Sequence, residues 1–348
     1  AQLAFERAAK AEPGNSVAQG RLARSKIAGH DFAGAEALLR ELIVAGENDP
    51  AFRYNLGIAL LHQHRYEEAL GEINDVAGSV DAADLDLYRA QAHHQLGDNE
   101  ASVRLARSWA KSNPGPGAEG YLSLLEFDAG LTDHARPRAQ AVLKSEPQNP
   151  DASVVIGTWR MEQQDIDGAE ELFSNVTRLE PENMRGWLGS GLAALYRRDF
   201  PKAIELLERA QQCQPNNVGA VTTLGWAHLL HDDTDRAEAV FREAIDIDRN
   251  FGEAHGGLAI VLTTLGRDGE ARDEIRRARG LDPAGFGYRI ADSLMLRSSG
   301  EEEAANRKMR ALLEESVVPG APSLLENLQI ALRKDAALPF RQRDSDLR

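Results

Sequence analysis

Two groups of histidines are the residues whose types could bind a metal ion. His62 and His64 stand close together, and His93 and His94 follow further along the chain. Imidazole nitrogens are common zinc ligands, and Asp128 is a candidate oxygen ligand. No pair has the i, i+4 spacing of two ligands on one helix face, and adjacent histidines on a helix point in different directions. The spacing therefore favours surface or groove-lining histidines, and we expect no metal and no cofactor.

Two further features could take part in catalysis, but the sequence around each of them does not support a catalytic role. Gly189-Ser190-Gly191 with Ala194 is similar to a dinucleotide-binding glycine loop, but no predicted strand precedes it, so helix packing explains these small residues better. Cys213 is the single cysteine, which excludes an internal disulfide, and no neighbouring residue indicates a nucleophile. We therefore expect no catalytic residues and a protein that is not an enzyme.

The charge of the chain limits its classes of partner. A formal net charge of −15 over 348 residues argues against a nucleic-acid partner, because binding to phosphates requires a basic surface. No apolar run is long enough to span a bilayer, so we expect no direct membrane insertion by these residues. Arginine outnumbers lysine by 33 to 7, which indicates a GC-rich bacterial source.

A Pro- or Asn-containing turn recurs with a period of about 34 residues, which is typical of stacked helix-turn-helix units. The turns are Glu146-Pro147, Glu180-Pro181, Gln214-Pro215, Asp248-Arg249-Asn250 and Asp282-Pro283. Small residues also return at fixed places, as two antiparallel helices require where they approach closely. One such set is Ala135, Ala169, Ala203, Ala237 and Ala271, and a second is Ser123, Gly157, Gly191, Gly225 and Ala259.

These residues resemble the tetratricopeptide repeat (TPR) family. The best matches to its pattern are Trp187, Gly191, Ala203, Leu207, Ala210 and Pro215. The resemblance extends upstream to Leu22-Ala23 and downstream through Ala304 and Ala311, and covers nearly all of the chain in about nine to ten units. It implies an all-α fold, a right-handed superhelical solenoid of antiparallel helix pairs. It also implies a scaffold that binds other proteins, whose identity the fold does not specify.

The pattern divides the chain into five predicted segments. Residues 1–15 are the second helix of a truncated repeat, and 16–115 are N-terminal repeat units. Residues 116–283 are regular central units, 284–332 are degenerate and capping helices, and 333–348 are a charged tail. We expect further residues upstream, where a signal peptide, a lipid anchor, more repeats or another domain would fit.

The resemblance implies that the first helix of each repeat lines a concave groove, which accepts an extended or helical protein segment. The inward positions are Tyr54, Asn55, Ile58, His62, His93, His94, Tyr121, Leu124, Asp128, Thr158, Glu162, Leu188, Tyr196, Thr222 and Trp226. Asn55 falls where family members often bond a peptide backbone. Trp226 is either an aromatic anchor for the partner or a packing residue, and the sequence leaves both open.

Three functions fit this reading. The first is a non-enzymatic scaffold in a bacterial multiprotein assembly, in envelope, pilus, secretion or polysaccharide-export machinery. The second is the recruiting or regulatory arm of a larger enzyme whose catalytic domain lies outside this chain, and the third is a self-associating array, a homo-oligomer. The first places the protein in the bacterial envelope, periplasmic or lipid-anchored through upstream residues, with the cytoplasm as the alternative.

Overall fold

The computed structural model describes residues 14–80 and 83–314, together with positions 5, 7, 11 and 12. Within these residues the chain forms eighteen α-helices and no strand, so the predicted all-α repeat fold is confirmed. It divides into two compact units, Ala1–Pro181 (unit 1) and Glu182–Arg348 (unit 2). The predicted helix at 1–15 lies mostly outside the described residues, as do the capping segment beyond 314 and the tail. The predicted grouping of the repeats stays a prediction.

Unit 1 contains five pairs of helices within the described residues. Each first helix packs on the second helix of its own pair, and that second helix packs on the first helix of the next pair. The helices are α1 Ser16–Ala28, α2 Phe32–Val44, α3 Pro50–Leu61, α4 Tyr66–Val76, α5 Leu85–Gln95, α6 Asn99–Ser112, α7 Pro116–Asp128, α8 Thr132–Ser145, α9 Pro150–Glu162 and α10 Ile166–Leu179.

Unit 2 repeats the same arrangement in four pairs over its described part. The helices are α11 Met184–Tyr196, α12 Phe200–Cys213, α13 Val218–Leu230, α14 Thr234–Ile247, α15 Gly252–Thr264, α16 Asp268–Leu281, α17 Phe286–Ser298 and α18 Glu302–Glu314. None of the helices described in either unit is long and apolar enough to cross a membrane.

A residue in the left-handed backbone region ends each first helix and reverses the chain into the second. These residues are His30, His64, Gly97, Gly130, Gln164, Arg198, Asp232, Gly266 and Gly300. Most of them are separated by the full repeat length, but the steps on both sides of Gly97 are shorter by a single residue. The third repeat is therefore out of phase with its neighbours. The step from Gly266 to Gly300 has the full length again, so the ninth repeat keeps the common phase.

The downstream continuation of the pattern was assigned one residue too early. Ala305 and Leu312 occupy the buried positions of the ninth repeat, whereas Ala304 is half-buried and Ala311 is exposed. The Oγ of Ser293 donates a hydrogen bond to the Ala305 carbonyl at 2.8 Å, which fixes the helix pair in this register. The adjacent alanines of this stretch are alike in sequence, and only the packing distinguishes them.

The recurring small residues hold the helix pairs together, as predicted. Ala203 is fully buried in α12, and Gly191 of α11 faces Leu207 so closely that a Cβ there would lie 2.7 Å from the Leu207 side chain. Gly225 meets Phe241 at the same distance one repeat later. A large side chain of the second helix thus packs directly against a small residue of the first helix, which gives the dense packing of a protein interior.

Two networks of four charged side chains join neighbouring repeats at equivalent positions. In unit 1, Arg65 Nη1 lies 2.7 Å from Glu36 Oε1 of the preceding repeat, and in unit 2, Arg267 Nη1 lies 2.8 Å from Glu238 Oε1. Each arginine also pairs with a glutamate three residues later. The full sets are Glu36, Arg40, Arg65 and Glu68 in unit 1 and Glu238, Arg242, Arg267 and Glu270 in unit 2.

Because of these networks, part of the free energy of unfolding depends on pH. Burial alone would raise the pKa of Glu36, but hydrogen bonds from Arg40 and Arg65 outweigh it and hold the pKa below its usual value of 4.5. The pKa of Glu238 is lowered by its own two arginines in the same way. Because the pKa of each glutamate is lower in the folded state, its contribution to the free energy of unfolding is fully present above the pKa of the unfolded state. This contribution is lost as the pH falls through the pKa of the folded state. Thermal unfolding of Glu36→Gln or Glu238→Gln should therefore depend less on pH during acidification than that of the wild type.

Glu100→Gln provides the matched control for this prediction. Its carboxylate is exposed on α6 and lies 3.9 Å from Arg104, its ion-pair partner. Exposed pairs of this kind contribute little to stability, so the control should keep the pH dependence of the wild type. If the thermal unfolding of the wild type and of all three variants depends on pH in the same way, the networks do not join the repeats.

One carboxylate is fully buried inside unit 1. Glu126 of α7 accepts a hydrogen bond from Arg107 Nη2 of α6 at 2.8 Å and another from Arg138 Nε of α8 at 2.9 Å. Arg138 also pairs with Glu119. A buried charge of this kind is tolerated only with its partners in place, so Glu126 ties three helices together.

Candidate functional site

The first helices of unit 1 bring two tyrosines into contact. Tyr54 of α3 and Tyr88 of α5 meet edge to face, with ring centroids 6.1 Å apart. Burial raises the pKa of Tyr54 to about 12, and Tyr88 and Asp84 add to the effect while Arg24 of α1 opposes it. Three successive first helices therefore contribute to one polar and aromatic patch. Sequence reasoning missed Tyr88, because the inward positions were assigned with the common period and the third repeat is out of phase with it.

A third tyrosine, Tyr121, lies on the next first helix, α7. Tyr121 of α7 packs edge to face on Trp109, with centroids 6.3 Å apart. The indole Nε1 of Trp109 donates a hydrogen bond to Asp84 Oδ1 at 3.1 Å. The charge of Asp84, which precedes α5, also raises the pKa of Tyr54 and of Tyr88. We call Tyr54, Tyr88 and Tyr121 the tyrosine row.

The structure brings one predicted pair together on two of the helices that carry this row. His94 Nε2 of α5 and Asp128 Oδ2 at the end of α7 lie 2.8 Å apart. His93 turns elsewhere, and its Nδ1 lies 3.0 Å from Asp98 Oδ2. His62 stacks on Phe32, with centroids 4.5 Å apart. Partial burial lowers the pKa of His62, with a smaller effect from the neighbouring histidines. In the described residues no group of three His, Cys, Asp or Glu side chains is placed to hold a metal ion.

The contact of His93 belongs to a structural pattern that recurs in alternate repeats. A basic side chain near the end of the first helix meets the aspartate that begins the second helix. The pairs are Lys26–Asp31 at 2.5 Å, His93–Asp98 at 3.0 Å, Arg160–Asp165 at 3.6 Å and His228–Asp233 at 3.6 Å. Each aspartate also accepts a hydrogen bond from the backbone N–H three residues later, as an N-cap does. His93 therefore makes the same contact as these residues, and its predicted place in the groove stays a prediction.

Other predicted groove residues in unit 1 make internal contacts. Asn55 is buried, and its Nδ2 donates to the Ala51 carbonyl at 2.6 Å. A partner's backbone would have to replace that bond, so the predicted role of Asn55 in peptide binding stays a prediction. Ile58 and Leu124 are buried, and the Thr158 hydroxyl donates to the Val154 carbonyl. Glu162 is exposed at the end of α9.

Unit 2 places its predicted residues differently. Trp226 is half-buried and packs edge to face on Phe241, with centroids 5.5 Å apart, against buried clusters that include Leu258 and Ala259. This contact is a packing contact, and the predicted role of Trp226 as an anchor stays a prediction. Leu188 packs against the core, and Thr222 is buried. Tyr196 is 54% exposed, and nothing in this unit corresponds to the tyrosine row in the described residues.

A pocket that the sequence did not indicate lies beside the start of α7. Its volume is about 670 Å³, and its wall contains Pro116, Glu119, Pro137 and Arg138. Pro137 lies inside α8 and lacks a backbone N–H, so it leaves the Asp133 carbonyl without its helical donor. The carboxylate and guanidinium in the wall pair with each other, which leaves a shallow, mainly apolar surface.

Paired helices, interlocking small residues and a face of aromatic and polar side chains define a helical-repeat scaffold for protein interaction. The sequence matches the tetratricopeptide repeat family over residues 21–79, 154–218 and 222–286, which together exceed half of the chain. The protein belongs to the tetratricopeptide repeat family, and the prediction from sequence is confirmed.

Solved structures of several repeat proteins are similar to this chain. MamA is 21% identical, with 45% of this chain and 92% of MamA covered and a TM-score of 0.39. TTC0263, a thermophilic TPR protein of Thermus thermophilus, is 22% identical, with 52% of this chain and 100% of TTC0263 covered and a TM-score of 0.44. No curated protein sequence matches the chain.

Proposed function

We propose that unit 1 binds a protein segment across the tyrosine row and serves as a scaffold in a bacterial multiprotein assembly, such as envelope, pilus, secretion or polysaccharide-export machinery. The observation that supports this is the placement of Tyr54, Tyr88 and Tyr121 on three successive first helices, with the rings of Tyr54 and Tyr88 in contact. Tyrosine offers a rigid apolar ring and a hydroxyl at low entropic cost, and for this reason it is enriched among the residues that dominate binding energy.

The geometry favours a segment that runs along several repeats over one that contacts a single repeat. Each of α3, α5 and α7 contributes one ring, and His94 with Asp128 adds a polar pair between α5 and α7. An extended or helical segment that follows the row would meet an aromatic ring at each repeat. Groove recognition of peptides and helices uses such regularly spaced anchors.

The proposal predicts that Tyr54→Ala with Tyr88→Ala weakens partner capture from cells of the source organism by at least about tenfold, as loss of two aromatic anchors does. The bound proteins are identified by mass spectrometry, which also reports the assembly to which they belong. Tyr54→Phe with Tyr88→Phe keeps the rings and separates their contribution from that of the hydroxyls.

Tyr66→Ala is the matched control, since Tyr66 is a half-buried tyrosine at the start of the second helix α4. Circular dichroism of all variants reports whether the fold is retained. Capture that is lost equally with Tyr66→Ala, or retained in the Tyr54/Tyr88 double variant, would contradict binding at the tyrosine row.

A further inference from the structure

His255 of α15 is a buried imidazole whose two ring nitrogens both face hydrogen-bond acceptors. It is 3% exposed, with Nδ1 at 2.5 Å from Glu274 Oε2 and Nε2 at 3.0 Å from the Arg249 carbonyl oxygen. A neutral imidazole has one N–H, and a carbonyl oxygen only accepts. A neutral imidazole and a carboxylate together have too few protons for both hydrogen bonds. The pair of His255 and Glu274 must therefore hold one additional proton.

The surroundings of the pair place that proton on the histidine. Arg277 Nη1 donates a hydrogen bond to Glu274 Oε1 at 2.8 Å, so a cation already faces the other oxygen of this carboxyl group. In the described residues the charged side chains that act on the ring are Glu274 and Arg277, both from α16, and the preceding turn adds the Arg249 carbonyl. The hydrogen bond to Glu274 raises the pKa of His255, and burial opposes it less strongly.

Other repeats use a permanently charged cation in the equivalent pair. Arg53 pairs with Glu72 at 2.8 Å, nineteen residues later, and Glu119 pairs with Arg138 at the same spacing. His255 and Glu274 are also nineteen residues apart. Arginine stays charged at all accessible pH values, whereas histidine titrates near neutrality. Of these three pairs, this one alone has a cation that loses its charge in the physiological range.

The bond to Arg249 fixes a turn that has no conventional cap. Phe251 is the N-cap residue of α15, and it makes no side-chain hydrogen bond to the helix. By contrast, Asn217 caps α13 of the preceding repeat by accepting from the Ala220 N–H at 3.0 Å. The His255 ring therefore ties the turn between α14 and α15 to α16. Without the proton on Nε2, a lone pair would face the carbonyl oxygen and the bond would be lost.

We propose that His255 is a proton-dependent latch, in which the imidazolium holds the α14–α15 turn against α16 and release of its proton frees the turn. The latch is independent of partner binding at the tyrosine row. Because the folded state favours the protonated ring, its stabilisation is complete below the unfolded pKa of about 6.5. It is lost as pH rises through the higher folded value.

The latch is tested on the full chain by NMR of the imidazole nitrogens, assigned by comparison with His255→Gln. We expect a doubly protonated ring at neutral pH and a titration above the ordinary value of 6.5, which falls in Glu274→Gln. A His255 that titrates at or below 6.5 would overturn the proposal. Glu274→Gln keeps the imidazole, so the proposal remains testable if His255→Gln does not fold.

Hydrogen exchange supplies a second readout that a purely structural role of His255 would not change. After correction for intrinsic rates, amides in residues 249–256 should exchange about five- to tenfold faster at about pH 9 than at about pH 6, the effect of one lost buried hydrogen bond. His255→Gln should show no such pH step, and His134→Gln, an exposed histidine of unit 1, should keep it. An equal step in His255→Gln would also overturn the latch.

Discussion

Gly256→Ala is expected to lower the free energy of unfolding of unit 2 by about 1–3 kcal/mol, the usual cost of overpacking. A Cβ at this position in α15 would lie 2.8 Å from the Tyr288 backbone nitrogen and 2.9 Å from the Gly287 Cα. These atoms belong to the backbone of α17, so no side-chain rotation relieves the clash. Alanine is otherwise favoured over glycine inside a helix by about 0.5–1 kcal/mol. The steric clash alone therefore turns an expected gain in stability into a loss.

Gly269→Ala is the control, because a Cβ at residue 269 of α16 would meet nothing within 4 Å. We expect this change to stabilise unit 2 by about 0.4–1 kcal/mol. Denaturant unfolding read by hydrogen exchange in α15 and α17 measures both variants. Stabilisation by both substitutions would show that α15 and α17 do not approach each other at Gly256.

Arg107→Leu combined with Arg138→Leu is expected to destabilise unit 1 by about 3–5 kcal/mol, because it leaves a buried carboxylate without a partner. The Glu126 side chain is fully buried, whereas Arg107 and Arg138 are partly exposed. The loss of stability therefore comes mainly from the buried carboxylate of Glu126 that remains without a partner, and less from the loss of the arginine side chains. Unfolding by denaturant, followed through the amides of α6–α8, measures the effect.

Adding Glu126→Leu to this double variant should recover most of the lost stability, since well-packed apolar residues replace buried ion pairs at little cost. Arg104→Leu on α6 is the control, because Arg104 is 68% exposed, and we expect a change within about 0.5 kcal/mol. A triple variant no more stable than the double one would contradict burial of the Glu126 charge.

The fold was predictable from the sequence because close helix packing restricts residue size directly. Gly191 and Ala203 must be small where two helices meet, and the same demand returns in every repeat. Steric constraint at a fixed period leaves a strong pattern in one sequence. The pattern weakened where adjacent residues were equally small, and there Ala304 was taken for Ala305.

The candidate site was less predictable, because an inward position does not determine what a side chain contacts. The sequence leaves Trp226 as an anchor or a packing residue, and its contact with Phe241 is visible only in the structure. Asn55 bonds its own helix, a choice that its sequence position does not reveal. Tyr88 was missed because the steps on both sides of Gly97 are each one residue shorter than the common period. The turn glycine Gly97, which follows His64 by one residue less than the common period, was the signal that would have found it.

Site-specific photocrosslinking tests the binding face most directly. A photoreactive phenylalanine analogue replaces either Tyr88 in the tyrosine row or Arg104 on the exposed face of α6, and the protein is irradiated in cells of its source organism. Our account predicts a crosslinked partner from position 88 and none from position 104. Crosslinks to the same partner from position 104 alone, or equally from both positions, would contradict binding across the first helices of unit 1.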